Sequence, residues 1–306
     1  MNDTRGIEVR PAQRSDTDPL AKFLAQCPAG PGAADTSAGF QGSALSDYVL
    51  AARGDAILGA CRFATGAGRC AVVLAPRVIP WDEALASRLL RAAAARVHIH
   101  RDARLIQTLI EPHGSEPLAA ALERAGFEQL AILAYLRRPV RPEERQVPLP
   151  PEIRWRHYWR LRHTQFARAI TATYEASLDC PGLAGLRTVE DAIATHKSTG
   201  IFSPRAWHLA IVEGNPVGLV LLNNLQGRGE VVYLGVVPAA RRRGIGQALV
   251  KCALRDTAAM DLPQVGLAVD VSNTAAMRLY EKTGFSEVQR RPAYFVPASR
   301  LEELHE

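Results

Sequence analysis

The twenty residues from Glu230 to Leu249, EVVYLGVVPAARRRGIGQAL, constrain this chain more than any other stretch. Residues 230–237 are an apolar, β-branched run, the composition of a buried strand. Pro238 ends that run, three arginines and two glycines follow, and the residues after Gly246 read as a helix. A tight turn of small residues bares its backbone N–H groups. A helix beginning there adds four N–H groups without intrahelical partners and a partial positive charge. With arginines alongside, such a turn suits a diphosphate.

Three phosphate-binding patterns compete for this turn. The Walker pattern requires Gly-Lys-Ser/Thr, and no Lys-Ser/Thr pair follows Gly244. The dinucleotide fingerprint requires a small residue three places after its second glycine, where this chain has Leu249. The pattern Arg-x-x-Gly-x-Gly is met by Arg241, Gly244 and Gly246. Downstream, residues 265–271 (VGLAVDV) read as a further strand, and Asn273 to Phe285 spells NTAAMRLYEKTGF. The turn resembles the acetyl-CoA pyrophosphate motif of the Gcn5-related N-acetyltransferase (GNAT) superfamily. The later segment resembles that family's second motif, Asn-x-x-Ala-x-x-Leu-Tyr-x-x-x-Gly-Phe.

The resemblance implies an α/β fold (the α+β GNAT fold), built as a mixed, mostly antiparallel sheet flanked by helices. It implies acetyl-CoA as acyl donor. The pyrophosphate would meet Arg241, Arg242 and Arg243, which also offer charge for the 3′-phosphate, and the turn and helix start at Gly244, Ile245, Gly246, Gln247 and Ala248. The pantetheine arm would lie along the backbone of Val236 and Val237 as an added strand, entering where that strand splays from the next. Asn273 and Ala276 would face the pantetheine or adenosine side. Tyr280 matches the family's acid, and its ordinary pKa of about 10 keeps it protonated at neutral pH. Glu230 stands where the histone-acetylating branch carries its base. Each residue also has a plainer use. The valines suit a core, Asn273 an N-cap, Tyr280 a packed ring, and Glu230 a solvated strand end.

At 306 residues the chain is long enough for two domains. Its net charge of +6 and pI near 9.3 fit a basic surface and a pocket for an anionic donor better than a nucleic-acid partner. No Lys/Arg block is longer than Arg241 to Arg243, and no aromatic-interleaved basic pattern occurs. The five cysteines form no CxxC pair, so neither a metal site nor a disulfide framework is expected. No apolar signal region opens the chain, and no run of eighteen uncharged apolar residues exists. The expectation is a cytoplasmic protein, monomer or homodimer, without a membrane or nucleic-acid partner.

A proline-dense run from Pro139 to Pro151 suits neither a helix nor a central strand. It suggests domains at 1–140 and 152–306 joined by a linker at 141–151. The second half reads as strands near 152–160, 206–213, 216–224, 230–237, 264–271 and 285–296, with helices near 162–178, 188–199, 242–259 and 273–283. The first half follows a fainter version of the same plan. Its strands are read near 7–11, 48–52, 57–64, 70–75, 105–111 and 130–136, its helices near 20–26, 83–98 and 118–126, and a loop from Cys27 to Leu45. This long-period repeat suggests a duplicated unit whose first copy has lost its site. Its equivalent turn, Arg77 to Asp82, has no glycine. Pro80 there removes a donor and Asp82 adds a carboxylate, and no tyrosine occurs in 118–126.

The acceptor side is expected between Tyr174 and His196, where Glu175, Asp179 and Glu190 are candidates to attract a cationic amine. The reading is direct acetyl transfer from acetyl-CoA to a primary amine of a small molecule. Acylation of a protein N-terminus or lysine, and a non-catalytic acyl-CoA-binding regulator, are the alternatives. Tyr280 speaks against the regulator.

Overall fold

In the computed structural model of the chain, the described residues are 6–27, 44–111, 115–183, 185–297 and 300–301. Most of the loop expected from Cys27 to Leu45 lies outside them. The chain forms two compact units, Met1–Ala131 with Arg291–Glu306, and Ile132–Arg290.

The first unit contains β1 (Glu8–Pro11), α1 (Thr17–Gln26), β2 (Tyr48–Arg53), β3 (Ala56–Gly66), β4 (Cys70–Val73), β5 (Arg77–Val78), α2 (Glu83–Arg101), β6 (Leu105–Leu109), α3 (Glu116–Arg124) and the start of β7 (Glu128–Pro139). Strands β1 to β4 pair antiparallel in order, β4 pairs parallel to β6, and the two-residue β5 folds back onto β3. Leu85, Ala86, Leu89, Leu90, Ala93, Ala94 and Val97 recur at helical spacing along α2 and are all buried in the core.

The second unit contains the rest of β7, then β8 (Arg154–His157), α4 (His163–Tyr174), α5 (Val189–Ser198), β9 (Trp207–Val212), β10 (Asn215–Leu225), β11 (Arg228–Val236), α6 (Ile245–Ala259), β12 (Gln264–Asp270), α7 (Thr274–Lys282) and the start of β13 (Ser286–Pro297). Its sheet runs β7-β12-β11-β10-β9-β8, with only the β11–β12 pair parallel. Alternation along β10 sorts its two faces. Leu219 and Leu221 pack with Phe166, Ile170 and Ile193 of α4 and α5. Val220 and Leu222 pack with Leu249 and Ala253 of α6 and with Tyr280 of α7.

The expected domain boundary is corrected. The chain passes between units inside β7 and inside β13, not in the proline run. β13 completes the first unit's sheet on β6, with Val296 opposite Ile106. β7 completes the second unit's sheet on β12, with Leu136 opposite Leu267. Alternating burial marks a strand as half-buried without naming its neighbour, so the sequence could not assign these two strands.

The proline run is structured rather than a free tether. It holds a short 3-10 helix at Pro142–Gln146. Arg145 Nη2 donates to Ala258 O at 2.8 Å and pairs with Asp261 at 2.6 Å, tying the run to the end of α6.

Candidate active site

β11 follows β10 over its whole length, with one extra residue, Val232, between the pairs Leu222–Val231 and Leu221–Tyr233. Such a bulge bends a strand and increases its twist. On its other edge β11 meets β12 only at Gly229–Val265 and Glu230–Gly266. β12 meanwhile stays with β7 as far as Asp270–Leu133. A fork therefore opens between β11 and β12 beyond Glu230. This is the splay that the family resemblance implied.

The register identifies which backbone groups face the fork. Val237 N–H donates to Val217 O at 3.1 Å, and Val237 C=O accepts from Ala240 N–H at 2.9 Å. Val237 is thereby removed as a pantetheine contact. Antiparallel strands alternate the side to which successive residues offer hydrogen bonds. Gly235 and Tyr233 share the β10 side with Val237, so Leu234 and Val236 turn toward the fork. The sequence reading missed Leu234, although stepping back two residues from Val236 would have found it.

At the turn, Gly244 has φ +80° and caps α6 without a side chain. A side chain in this left-handed region is strained, so glycine fits here. The first intrahelical bond runs from Ala248 N–H to Gly244 O at 3.1 Å. Ala248 is buried, its N–H is spent inside the helix, and it is withdrawn as a donor contact. The N–H groups of Ile245, Gly246 and Gln247 remain without intrahelical partners. A Cβ on Gly246 would lie 3.0 Å from Leu279 Cδ2, so glycine here lets α6 approach α7.

The three arginines divide. Arg242, with φ +64°, and Arg243 are exposed and have no ion-pair partner among the described residues. The Arg241 guanidinium is committed elsewhere. It donates to Val236 O at 3.2 Å, Ala176 O at 2.9 Å, Thr173 O at 3.3 Å and Glu175 O at 2.6 Å. Arg241 closes the C-terminal end of α4, where carbonyls lack helical partners. It is corrected from a phosphate ligand to a structural clamp.

Asn273 caps α7, its Oδ1 accepting from Ala276 N–H at 3.2 Å. The plainer use of Asn273 is realised. The Ala276 N–H is taken up by this cap.

Tyr280 is only 6% exposed, and its ring lies 5.6 Å from that of Phe285. Its hydroxyl has no hydrogen-bond partner among the described residues. Burial pushes the phenol well above its ordinary pKa, and the charge of Asp179 adds to the shift. The phenol stays protonated at neutral pH.

Glu230 lies at the closed end of the fork and accepts from Arg228 Nε at 3.1 Å. Burial raises its carboxyl pKa, opposed by Arg228 and then Arg137. Opposite it on β10 stands Asn223, which donates to His196 O and Thr199 O at 2.7 Å each. Directly opposed residues share a face, so Glu230 is on the α5 side of the sheet. Tyr233 packs on that side too, its hydroxyl 2.6 Å from Thr173 Oγ1.

The expected acceptor acids separate. Glu190 is exposed and bonded to His163 Nε2 at 2.8 Å, and Glu175 is exposed at the α4 end. Asp179 alone reaches the fork, where its Oδ1 accepts from Asp270 N–H at 3.2 Å. Asp270 Oδ2 in turn accepts from Cys180 N–H at 3.3 Å. Asp179 keeps contact with solvent but is crowded on most sides. That desolvation, with the charge of Asp270, outweighs the hydrogen bond from Asp270 N–H and raises its carboxyl pKa. His196 is neutral, since burial and Arg187 lower it to about 3. Away from the fork, His208, Cys252 and Asp256 bring donor atoms within 4.8 Å of one another, and His208 Nε2 is hydrogen-bonded to Asp256 at 2.6 Å. No helix among the described residues is long and apolar enough to cross a membrane.

Comparison with solved structures shows the fold. A GCN5-related N-acetyltransferase from Sphaerobacter thermophilus superposes with TM-score 0.61 at 18% identity, covering 97% of both chains. A tandem GNAT protein from the clavulanic acid biosynthesis pathway superposes with TM-score 0.52 at 15% identity, covering 95% of this chain and 98% of its own. The chain thus has a GNAT fold along nearly its whole length.

The sequence profile described as "Acetyltransferase (GNAT) family" matches residues 170–285, from within α4 to Phe285. The matched segment takes in α5 through α7 of the second unit. A mycothiol acetyltransferase of Thermobispora bispora is 34% identical over 182 residues, covering 57% of this chain and 60% of the relative. One from Mycobacterium avium is 31% identical over 205 residues, covering 60% and 63%. The chain therefore spans about three fifths of the length of these two curated relatives.

Proposed function

We propose that the second unit transfers the acetyl group of acetyl-CoA directly to a primary amine of a small molecule. The observation that carries this reading is the β11–β12 fork ending at an uncapped helix start, with Tyr280 buried beside it. The donor's pyrophosphate fits the free N–H groups of Ile245, Gly246 and Gln247, with Arg242 and Arg243 adding charge. Its pantetheine arm fits the fork-facing backbone of Leu234 and Val236. A backbone N–H there polarises the thioester carbonyl.

Glu230, on the α5 side, takes one proton from the acceptor ammonium, directly or through water. The nitrogen lone pair then forms a bond to the acetyl carbon, and the C–S bond breaks. Tyr280 gives its proton to the departing thiolate. The second proton shed by nitrogen restores the phenol, and Glu230 releases the first to solvent. No covalent enzyme intermediate is needed. The relatives' name, mycothiol acetyltransferase, supports a small-molecule acceptor.

Thiol release from acetyl-CoA over a panel of amines tests the reading, run beside Tyr280→Phe. Turnover with at least one small amine, lost in the variant, is expected. Saturable CoA binding with no turnover on any amine would instead make the second unit a non-catalytic acyl-CoA binder.

A further inference from the structure

His208, Cys252 and Asp256 meet on the α6 side of the sheet, apart from the fork. In β9, Trp207, Leu209 and Ile211 pack with α4 and α5, while Ala210 packs with α6. Successive strand residues face opposite sides, so His208 shares the α6 side with Ala210. Cys252 and Asp256 are four residues apart on α6 and therefore neighbours on one helix face. An imidazole nitrogen, the thiol sulfur and a carboxylate oxygen of the three lie within 4.8 Å of one another.

The fold leaves these groups underused. His208 Nε2 shares a 2.6 Å hydrogen bond with Asp256 Oδ2. His208 Nδ1 is buried without a partner, and so is Nε1 of Trp155, whose ring meets the imidazole in a T-shape with centroids 6.3 Å apart. Cys252 is fully buried, and its sulfur makes no hydrogen bond among the described residues. Burying polar groups without partners is costly, and apolar residues would pack α6 on β9 without that cost.

The donor set selects its ligand. Sulfur, nitrogen and oxygen together suit a borderline cation such as Zn²⁺, whereas Mg²⁺ and Ca²⁺ take oxygen. A divalent ion with one thiolate, one carboxylate and a neutral imidazole carries no net charge, the state that burial favours. Ligand atoms around tetrahedral zinc stand roughly 3.3–3.6 Å apart, so the His208–Asp256 contact opens by roughly 0.7 Å to admit the ion, with water as fourth ligand. Asp256 keeps 16% of its side chain exposed, and Arg255 Nε stands 3.8 Å from its Oδ1. That edge is the way in.

We propose that His208, Cys252 and Asp256 form a zinc-type cation site that pins the middle of α6 to β9. On binding, the Cys252 thiol gives its proton to solvent as the sulfur–metal bond forms. The imidazole binds through one nitrogen and keeps its proton on the other. The site steadies the helix whose start cradles the donor, but takes no part in the transfer chemistry. Cysteine pairs in the sequence could not reveal it, because one cysteine joins a histidine and a carboxylate that only the fold brings together.

Co²⁺ titrated into the reduced, chelator-treated full chain tests the proposal, since a thiolate ligand gives Co²⁺ an intense near-ultraviolet charge-transfer band. The wild type is expected to take up one Co²⁺ per chain with that band, and an equivalent of Zn²⁺ to bleach it. Cys252→Ala should abolish the band. His208→Gln keeps the thiol but should weaken Co²⁺ binding at least about 10-fold, since even losing a group that merely orients a ligand costs about 10- to 100-fold. Far-ultraviolet circular dichroism checks that both variants fold, and if one does not, the other decides. No band in the wild type, a band that survives Cys252→Ala and so belongs to another cysteine, or unchanged affinity in His208→Gln overturns the proposal. The readout needs neither acetyl-CoA nor an amine, so failure of the transferase reading leaves the metal site standing.

Discussion

Two helix starts, that of α2 in the first unit and that of α6 in the second, carry opposite equipment. At α2 the N-cap is Asp82, whose carboxylate accepts from Leu85 N–H at 2.9 Å. A negative charge of the protein's own already occupies the place an anion would take. At α6 the N-cap is Gly244, with no side chain, no acidic residue in the first turn, and two exposed arginines before it. The strands differ in the same direction. The four-residue β4 keeps three of its residues paired with β6, whereas the nine-residue β11 keeps only two paired with β12.

One residue is used alike in both units. Arg77 Nη1 donates to Leu24 O at 3.0 Å and Cys27 O at 2.9 Å, closing the end of α1. Arg241 does the same at the end of α4. An arginine kept where the anion site is blocked serves the fold. The glycine start and the open fork are what the second unit adds. We read the first unit as a copy without a CoA site.

The largest expected effect tests whether the second unit is catalytic as well as binding. Tyr280→Phe should lower kcat by about 10²-fold or more, within the usual contribution of a positioned proton donor, while leaving the Kd for CoA nearly unchanged. Because burial lifts Tyr280 above its ordinary value near 10, the wild-type rate should not fall on the alkaline side before that pH. Glu230 is also raised, so the acid limb of kcat/KM should lie above the ordinary glutamate value of about 4.3. Glu230→Gln should flatten that limb. A limb unmoved in this variant removes Glu230 as the base.

Next in size is Gly244→Asp, which copies the α2 cap onto α6. Left-handed strain and a carboxylate facing a diphosphate together should cost about 2–3 kcal/mol, or roughly 30- to 150-fold in the KM for acetyl-CoA. Unchanged KM would break the comparison.

Arg241→Ala should destabilise the protein by about 3 kcal/mol in urea titration, and Arg77→Ala by about 2 kcal/mol, since charged hydrogen bonds to helix-end carbonyls are lost in both. The Kd for CoA should move less than about threefold in Arg241→Ala, the size of a weak surface electrostatic term. A large Kd change with little loss of stability would return Arg241 to the phosphate site. The smallest effect is Asn273→Ala, which should cost about 1 kcal/mol through loss of the α7 cap.

Much of the second unit was legible in the sequence. The strand over 230–237, the helix to 259 and the capped helix near 273–283 stand within a few residues of their observed ends. The reason is local, because turn glycines, a capping asparagine and apolar period act over neighbouring residues. What escaped was set by distant partners. Arg241 looks like a phosphate ligand until the carbonyls of α4 fold against it. In the sequence Val237 is as free as Leu234, and only β10 fixes which backbone groups remain open. The exchange of β7 and β13 between units left no mark on either strand's own pattern. Asp179 stood out from Glu175 and Glu190 only once its loop met the end of β12.

The central claim, that the second unit alone carries a CoA site, is tested most directly by the stoichiometry of CoA binding to the full chain. Calorimetry of the wild type and Asp82→Gly should each give one CoA per chain, and Gly244→Asp should abolish the signal at the same concentrations. Two CoA molecules per wild-type chain, or binding that persists undiminished in Gly244→Asp, would contradict the account.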